Sequence, residues 1–327
     1  MLLEVVHHTR YDYTAPVSLA HHLAHLQPLS DAHQQLLEFD LLIDPVPGQH
    51  RSGLDTLGNI DSHFSLAQPH QHLAVRATSR VQVQPRFAAL QPQASPAWDR
   101  LADSLRYVAL APFAPVVEFA QPSPYVPRLA ALRNYATLSF RPGRPLAVAA
   151  LELMQRIHAD FSYQSKSTDI DTPLSEVWAS KRGVCQDFAH LMAGAMRMLG
   201  LPVRYVSGYL LTHAPAGEAG GGRAMQGADA SHAWVQVWCP ETPGVPGPGW
   251  LDLDPTNNLV PGSGHVRVAM GRDFGDVTPL RGVIRGGGLH TLKVGVSTRA
   301  LDAAAHAADS AQERELLENP LMERTPP

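Results

Sequence analysis

The clearest hydrophobic pattern in the chain is helical and lies in its second half. Between positions 188 and 199, apolar residues recur at i, i+3, i+4, i+7, i+8 and i+11: Phe188, Leu191, Met192, Ala195, Met196 and Leu199. This spacing predicts an amphipathic helix. Gly200 and Pro202 stand where such a helix is expected to end. The predicted helix therefore begins close to Cys185.

Alternation of apolar and polar positions predicts β-strands in the first part of the chain. Residues 73–83 form the longest such run, and 37–43 form another. The segment 55–59 has the composition of a turn between two strands. Residues 17–27 fit either a strand or a helix. We predict an antiparallel β domain of the sandwich type over residues 1–86.

The rest of the chain changes character twice. Prolines are dense in residues 87–128, which predicts a linker with short helical pieces. Helical patterns begin near 129 and strand patterns follow the central helix, so residues 129–298 are predicted to form one α+β core. Residues 299–327 are rich in Ala and Glu and are predicted to be a flexible tail.

Composition narrows the class of protein. The chain has 327 residues, 44% of them hydrophobic and 17% charged, which is enough for two packed domains. Its net charge of −4 does not favour nucleic acid or an anionic membrane as a partner. The N-terminus lacks the basic and apolar stretches of a signal peptide. With only two cysteines, the chain is expected to keep free thiols in the cytoplasm.

Cys185 is the first candidate for chemistry. At a helix N-terminus, unpaired N–H groups and the helix dipole favour the thiolate, which is the nucleophilic form. The alternative is a small buried apolar cysteine. Downstream, His232 begins a predicted strand and Asp254 ends the next one, so an antiparallel pairing can bring them together. Asp252 has the same side-chain parity and competes for the role of the acid.

Cofactor sites are not favoured by the sequence. His21 and His25 have the i, i+4 spacing of a zinc-protease motif, but the glutamate of that motif is missing. The glycines at 220–222 lack the Lys-Ser/Thr that follows a phosphate-binding loop. The loop 213–229 directly precedes His232, and it is expected either to line the cleft or to be a surface insertion. We predict no cofactor and no metal.

Three blocks of sequence resemble the signature of the bacterial transglutaminase-like superfamily, which is related to papain. They are 183–190 (Gly-Val-Cys-Gln-Asp-Phe-Ala-His), 231–235 (Ser-His-Ala-Trp-Val) and 253–257 (Leu-Asp-Pro-Thr-Asn). The segments 8–13 and 55–59 are similar to the β domain that precedes the core in bacterial members, and 271–282 is similar to a block after the core. The resemblance implies a papain-like α+β core behind an N-terminal β-sandwich. It also implies a catalytic triad of Cys185, His232 and Asp254, with Asp254 preferred over Asp252 because the family acid precedes Pro-Thr-Asn.

The expected activity is acyl transfer or hydrolysis at an amide bond of a peptide or protein, through a thioester on Cys185. The amide N–H of Cys185 would contribute to the oxyanion hole, and Gln186, Trp178 or Tyr163 could supply a second donor. Water as acceptor gives a peptidase or amidase, which the sequence analysis favours. An amine acceptor gives a transglutaminase, and a non-catalytic interaction module on the same fold is the remaining alternative.

Overall fold

The computed structural model describes residues 1–110, 112, 114–165, 167–211, 225–227 and 231–301. Its strands are β1 (Leu2–Ala24), β2 (Gln34–Asp44), β3 (Gln49–Leu54), β4 (Ile60–Leu66), β5 (His70–Val83), β6 (Ser162–Tyr163), β7 (Arg182–Gly183), β8 (Val203–Leu210), β9 (His232–Trp238), β10 (Trp250–Leu253), β11 (His265–Gly271), β12 (Leu280–Gly286) and β13 (His290–Leu301). Its α-helices are α1 (Trp98–Ser104), α2 (Ala130–Thr137), α3 (Leu146–Asp160), α4 (Leu174–Ser180) and α5 (Cys185–Arg197).

The N-terminal unit is organised around β1, which spans 23 residues. The first half of β1 pairs with β5 and β13, whereas its second half pairs with β4 and β12. Strand β2 extends the sheet beyond β5, and β3 extends it beyond β4. Apolar side chains of β4 and β5 meet in one buried cluster that includes Phe64, Leu66, Leu73 and Val75. The sheet therefore folds over itself, in agreement with the predicted sandwich.

Two strands near the end of the described chain belong to the N-terminal sheet. The sequence analysis assigned them to the core of residues 129–298. In the structure, β12 and β13 both pair with β1, and β13 stays in register with it from Tyr13↔His290 to Leu2↔Leu301. The pairing partner of a strand is set by contacts across the whole chain, which local alternation of side chains does not specify. The chain thus returns to its first domain after it has built the core.

The core unit packs helix α5 against an antiparallel sheet with the strand order β10-β9-β8-β11. Helices α2, α3 and α4 contact the other side of α5. The predicted apolar stripe is buried, and the helix also buries the residues between its members, because it is covered from both sides. Trp234 of β9 is fully buried. This arrangement places the start of α5 next to the start of β9.

The proline-rich segment 87–128 contains α1 and two short 3₁₀ turns, Pro92–Ala94 and Pro115–Ala120. The predicted helix at 98–107 ends earlier, at Ser104. Residues 17–24, which fitted either structure, are part of the strand β1. Among the described residues, no helix has both the length and the apolar character needed to cross a membrane. Most of the loop 213–229, including Gly220–222, and residues 302–327 of the predicted tail lie outside the described residues.

Candidate active site

Cys185 is the first residue of α5, as the sequence predicts. The residue before it, Val184, donates its backbone N–H to Oδ2 of Asp187 at 2.8 Å. Thr168 also donates its hydroxyl to this oxygen, at 2.6 Å. A Cβ atom on Gly183 would lie 2.7 Å from the same oxygen, so only glycine fits before this turn. The sequence around the cysteine thus fixes where the helix begins and which backbone N–H groups surround the thiol.

His232 and Asp254 are joined by a buried hydrogen bond of 2.9 Å between Nε2 and Oδ2. The β9–β10 register pairs Asp252 with Gln236 and Leu253 with Val235. Asp254 follows the last of these pairs, so its carboxylate reaches His232 diagonally across the sheet, on the same face. The two residues come together because the strands are antiparallel neighbours, as the spacing indicated.

The carboxylate of Asp254 is saturated with donors. Besides His232, its Oδ2 accepts hydrogen bonds from His265 at 3.3 Å and from the side chain of Asn257 at 2.9 Å. Its Oδ1 accepts from the backbone N–H groups of Thr256 and Asn257. Burial alone would raise the pKa of Asp254, but the charge and hydrogen bond of His232, with help from His265, hold this pKa far below its usual value. Asp254 is therefore a fixed anion.

The same pairing raises the pKa of His232. Complete burial opposes the charged imidazole, yet the adjacent carboxylate outweighs it, and Cys185 acts in the same direction as Asp254. The second ring nitrogen, Nδ1, is buried and has no hydrogen-bond partner among the described residues. Nε2 is held by Asp254, so Nδ1 is the nitrogen available to exchange a proton with the thiol or a substrate.

Asp252 forms a separate network. Its Oδ1 accepts a 2.6 Å hydrogen bond from Gln236, and its Oδ2 lies 3.4 Å from Nε1 of Trp234. The diagonal step that takes Asp254 to His232 takes Asp252 to Trp234, two residues farther along the strand. Both acids are buried, but only Asp254 contacts the imidazole.

The three candidate oxyanion donors occupy different environments. Tyr163 and Gln186 line the same cavity as Cys185. The side-chain amide of Gln186 donates to the carbonyl of Ile170 at 3.1 Å. Trp178 is not among the residues that line this cavity; it packs edge-on against Tyr135, and the ammonium of Lys181 lies 3.2 Å from its ring centroid.

A cavity of about 420 Å³ opens in front of the thiol and the imidazole. Cys185 is 9% exposed, whereas Cys239, the other cysteine, is completely buried. Gly227 contacts the imidazole: with its φ of +85°, a Cβ atom there would lie 2.8 Å from Nδ1 of His232. The N–H of Gln226, beside it, donates to the side chain of Asn257 at 2.9 Å. These described residues of the 213–229 loop therefore line the cleft, which was one of the two expectations for this loop.

Two residues that contact Asp254 were not identified from the sequence as site residues. His265 begins β11, on the opposite edge of the sheet from β10, and Asn257 follows Asp254 in a tight turn. Asn257 lies inside the block 253–257, which was a usable signal. His265 had none, because only the strand order brings it to the carboxylate.

Metal ligation was considered at two places. His21 and His25 do not lie on a helix, since β1 continues to Ala24, and four residues of a strand span about 13 Å. Ligand atoms of His232, Asp254 and His265 do lie within 4.8 Å of one another. In this group, both imidazoles already bond to the carboxylate, so the arrangement is explained by the hydrogen bonds themselves.

Comparisons with known proteins agree with this architecture. The family model of the bacterial transglutaminase-like N-terminal region matches residues 3–82, and that of the transglutaminase-like superfamily matches residues 137–255. An uncharacterized protein of Mycobacterium tuberculosis is 38% identical over 287 residues, which cover 86% of each chain. A protein-glutamine gamma-glutamyltransferase of Pseudomonas aeruginosa is 34% identical over 123 residues, 36% of this chain and 17% of that one. The crystal structure of a candidate cysteine protease from Cytophaga hutchinsonii superposes with a TM-score of 0.66 at 20% identity and covers 92% of both chains.

Proposed function

This chain belongs to the transglutaminase-like superfamily, and from that premise we propose that it is a cysteine-dependent enzyme that acts on amide bonds of peptides or proteins. The observation that carries the proposal is the buried 2.9 Å hydrogen bond between His232 and Asp254, beside a cavity that also contains Cys185. Each residue then has a role that its surroundings support. Cys185 is the nucleophile, His232 is the general base and acid, and Asp254 orients the imidazole.

The reaction follows from these positions. Nδ1 of His232 takes the proton of the thiol, and Sγ of Cys185 attacks the amide carbonyl. As the C–N bond breaks, His232 gives this proton to the leaving amine, and a thioester remains on Cys185. His232 then deprotonates the acceptor, whose oxygen or nitrogen attacks the thioester and releases the thiol. Asp254 stays ionised throughout, because its donors hold its pKa so low.

The oxyanion is proposed to be held by the amide N–H of Cys185 and by the hydroxyl of Tyr163. Tyr163 is preferred over Gln186, since the amide of Gln186 already donates to Ile170, and over Trp178, which does not line the cavity. A Tyr163→Phe substitution is then expected to lower kcat about 100-fold, which is typical for the loss of one oxyanion donor.

Water is the proposed acceptor, because the cavity opens to solvent and no described residue marks an amine site. The alternative acceptor is an amine, which the name of the Pseudomonas aeruginosa relative supports. Both reactions share every step up to the thioester. A non-catalytic interaction module remains the alternative that the experiment must also separate.

The chain offers a matched pair of variants for the test, because Cys185 and Cys239 are its only cysteines. Cys239 is buried beside Thr242, and burial raises the pKa of its thiol to about 11. Cys185→Ala is expected to abolish iodoacetamide labelling and the turnover of a peptide and isopeptide panel. Cys239→Ala is expected to retain both. Full turnover in Cys185→Ala would refute the proposal.

Amine acceptors separate the two products. The panel is run with and without a primary amine, and products are identified by mass. Hydrolysis gives the free acid in both conditions, whereas transglutamination gives the amine adduct. Labelling of Cys185 with no turnover of any amide would favour the interaction module.

A further inference from the structure

One wall of the catalytic cavity comes from the N-terminal sheet, not from the core that carries Cys185. Strand β1 contributes His7, Thr9 and Tyr11, and β13 contributes Leu292 and Val294. These residues face the same space as the thiol and the imidazole. Any group that reaches Cys185 therefore lies between the two units of the protein.

The strand register explains why these side chains point into the cavity. Leu292 pairs with Tyr11 and Val294 pairs with Thr9, so all four lie on one face of the sheet. Towards one end of the strands the same face is covered by the core unit, where Val5 and Val296 are buried. Between that contact and the fold of the sandwich, the face remains open: Leu292 is 44% exposed and Val294 is 46% exposed.

The wall is apolar and carries no charged side chain among the described residues that line the cavity. Arg10 and Lys293 form the neighbouring register pair, so they project from the opposite face. The polar members of the wall are already paired, because His7 bonds through Nδ1 to Tyr209 and through Nε2 to Thr9, both at 3.0 Å. Burial and the adjacent His8 lower the pKa of His7 to about 4, so this imidazole is neutral at pH 7.

We propose that the N-terminal sheet is the specificity element of the enzyme, and that Tyr11, Leu292 and Val294 bind an apolar side chain of the acyl donor. The substrate class is then a peptide with an aliphatic or aromatic residue at the amide that Cys185 attacks. An acidic or basic side chain at that position would lose its hydration against the wall without gaining a partner. This inference rests on the proposed function, because it assigns the substrate of the same site.

The wall also gives the returning strand β13 a role. Its apolar residues Leu292 and Val294 would be an exposed liability on an edge strand, but next to Cys185 they form a binding surface. The pairing of β12 and β13 with β1 holds this surface in place. A core unit without residues 280–301 would lack half of the wall.

The test measures the selectivity of thiol labelling, which does not require turnover. Matched peptidyl chloromethyl ketones carry either Phe or Asp at the residue that bears the reactive group, and Sγ of Cys185 displaces the chloride. The readout is the ratio of kinact/KI for the Phe probe over the Asp probe, so any change in the intrinsic reactivity of the thiol cancels. In the wild-type protein this ratio is expected to exceed tenfold.

Three variants then examine the wall. Leu292→Arg is expected to reduce the ratio at least tenfold, because a cation there attracts the acidic probe and removes an apolar contact from the Phe probe. Val294→Asp is a second, independent variant that is expected to reduce labelling by both probes, and the acidic probe more strongly. Lys293→Asp, on the opposite face of the same strand, is the control and is expected to keep the ratio within twofold. Thermal unfolding verifies that each variant is folded.

Two outcomes would overturn the inference: similar labelling by the two probes in the wild type, or an unchanged ratio in folded Leu292→Arg. Absence of labelling by either peptide probe, where iodoacetamide labels Cys185, would overturn it as well. The proposed function fails separately, if the Phe probe labels Cys185 selectively and yet no amide of the panel is turned over. Selectivity and turnover thus decide the two proposals independently.

Discussion

The Nε2 atom of His265 lies 3.3 Å from Oδ2 of Asp254, the same oxygen that holds His232. A single carboxylate oxygen therefore receives N–H groups from two buried imidazoles. His265 also packs edge-on against Trp234, and Trp234 in turn stacks near His232. This arrangement restrains both partners of the proposed catalytic pair, and it makes His265 a positioning residue.

His265→Phe tests that role. Phenylalanine keeps the aromatic contact with Trp234 but removes the hydrogen bond to Asp254. We expect kcat to fall about tenfold while KM stays close to that of the wild type, because the carboxylate is held less firmly. Steady-state kinetics on the best peptide of the panel measure this. An unchanged kcat in a folded variant would assign His265 to packing alone.

Asp254→Asn and Asp252→Asn form a matched pair on one face of β10. Asp254→Asn is expected to lower the rate about 10⁴-fold, because the amide cannot hold His232 in the required tautomer. Asp252→Asn weakens the contact with Gln236, so we expect lower thermal stability and turnover within tenfold of the wild type. Equal losses of activity in the two variants would contradict the assignment of Asp254 as the acid.

Gly183→Ala tests how the start of α5 is built. The new methyl group would lie 2.7 Å from Oδ2 and 2.8 Å from Cβ of Asp187, closer than real contacts allow. We expect the free energy of unfolding to fall by about 1–3 kcal/mol and iodoacetamide labelling of Cys185 to slow. Gly48→Ala is the control, because no atom lies within 4 Å of the position that its methyl group would take. Chemical denaturation of both variants gives the comparison, and equal stabilities would be the contrary result.

His190 predicts a loss of stability in acid. Burial, reinforced by the charge of Arg197, lowers the pKa of His190 to about 3. Below pH 6.5 the unfolded chain binds a proton that the folded chain excludes, so stability falls as the pH drops from 6.5 towards 3. At pH 5 this amounts to about 2 kcal/mol. His232 acts in the opposite sense: its raised pKa adds stability at low pH, which is lost only as the pH rises through that folded value.

His190→Gln isolates the effect. Glutamine can still accept the hydrogen bond that Phe274 N–H donates to Nε2 of His190. We expect the stability difference between pH 7 and pH 5 to be about 2 kcal/mol smaller in this variant than in the wild type. His21→Gln, at an exposed position, serves as the control. Denaturation curves at the two pH values measure the difference, and equal pH sensitivity in His190→Gln and the wild type would exclude the assignment.

Much of the candidate site was predictable because it depends on local pattern. The helix after Cys185, the strand that begins at His232 and the strand that precedes Asp254 are each specified by periodicity over a few residues. Their order along the chain then allows one antiparallel arrangement that joins histidine and acid. The predicted cytoplasmic location remains a prediction, because it concerns the cell and not the fold.

The sequence alone determined the family, the sandwich-plus-core architecture and the identity of the thiol and imidazole candidates, because these follow from short motifs and from the alternation of apolar positions. Only the tertiary structure decided that Asp254, and not Asp252, contacts His232, since strand register sets this diagonal. It also brought His265 to the carboxylate and returned β13 to the first domain, where Leu292 and Val294 face Cys185. These are contacts between residues distant in the chain, and they depend on strand order, which no local pattern encodes.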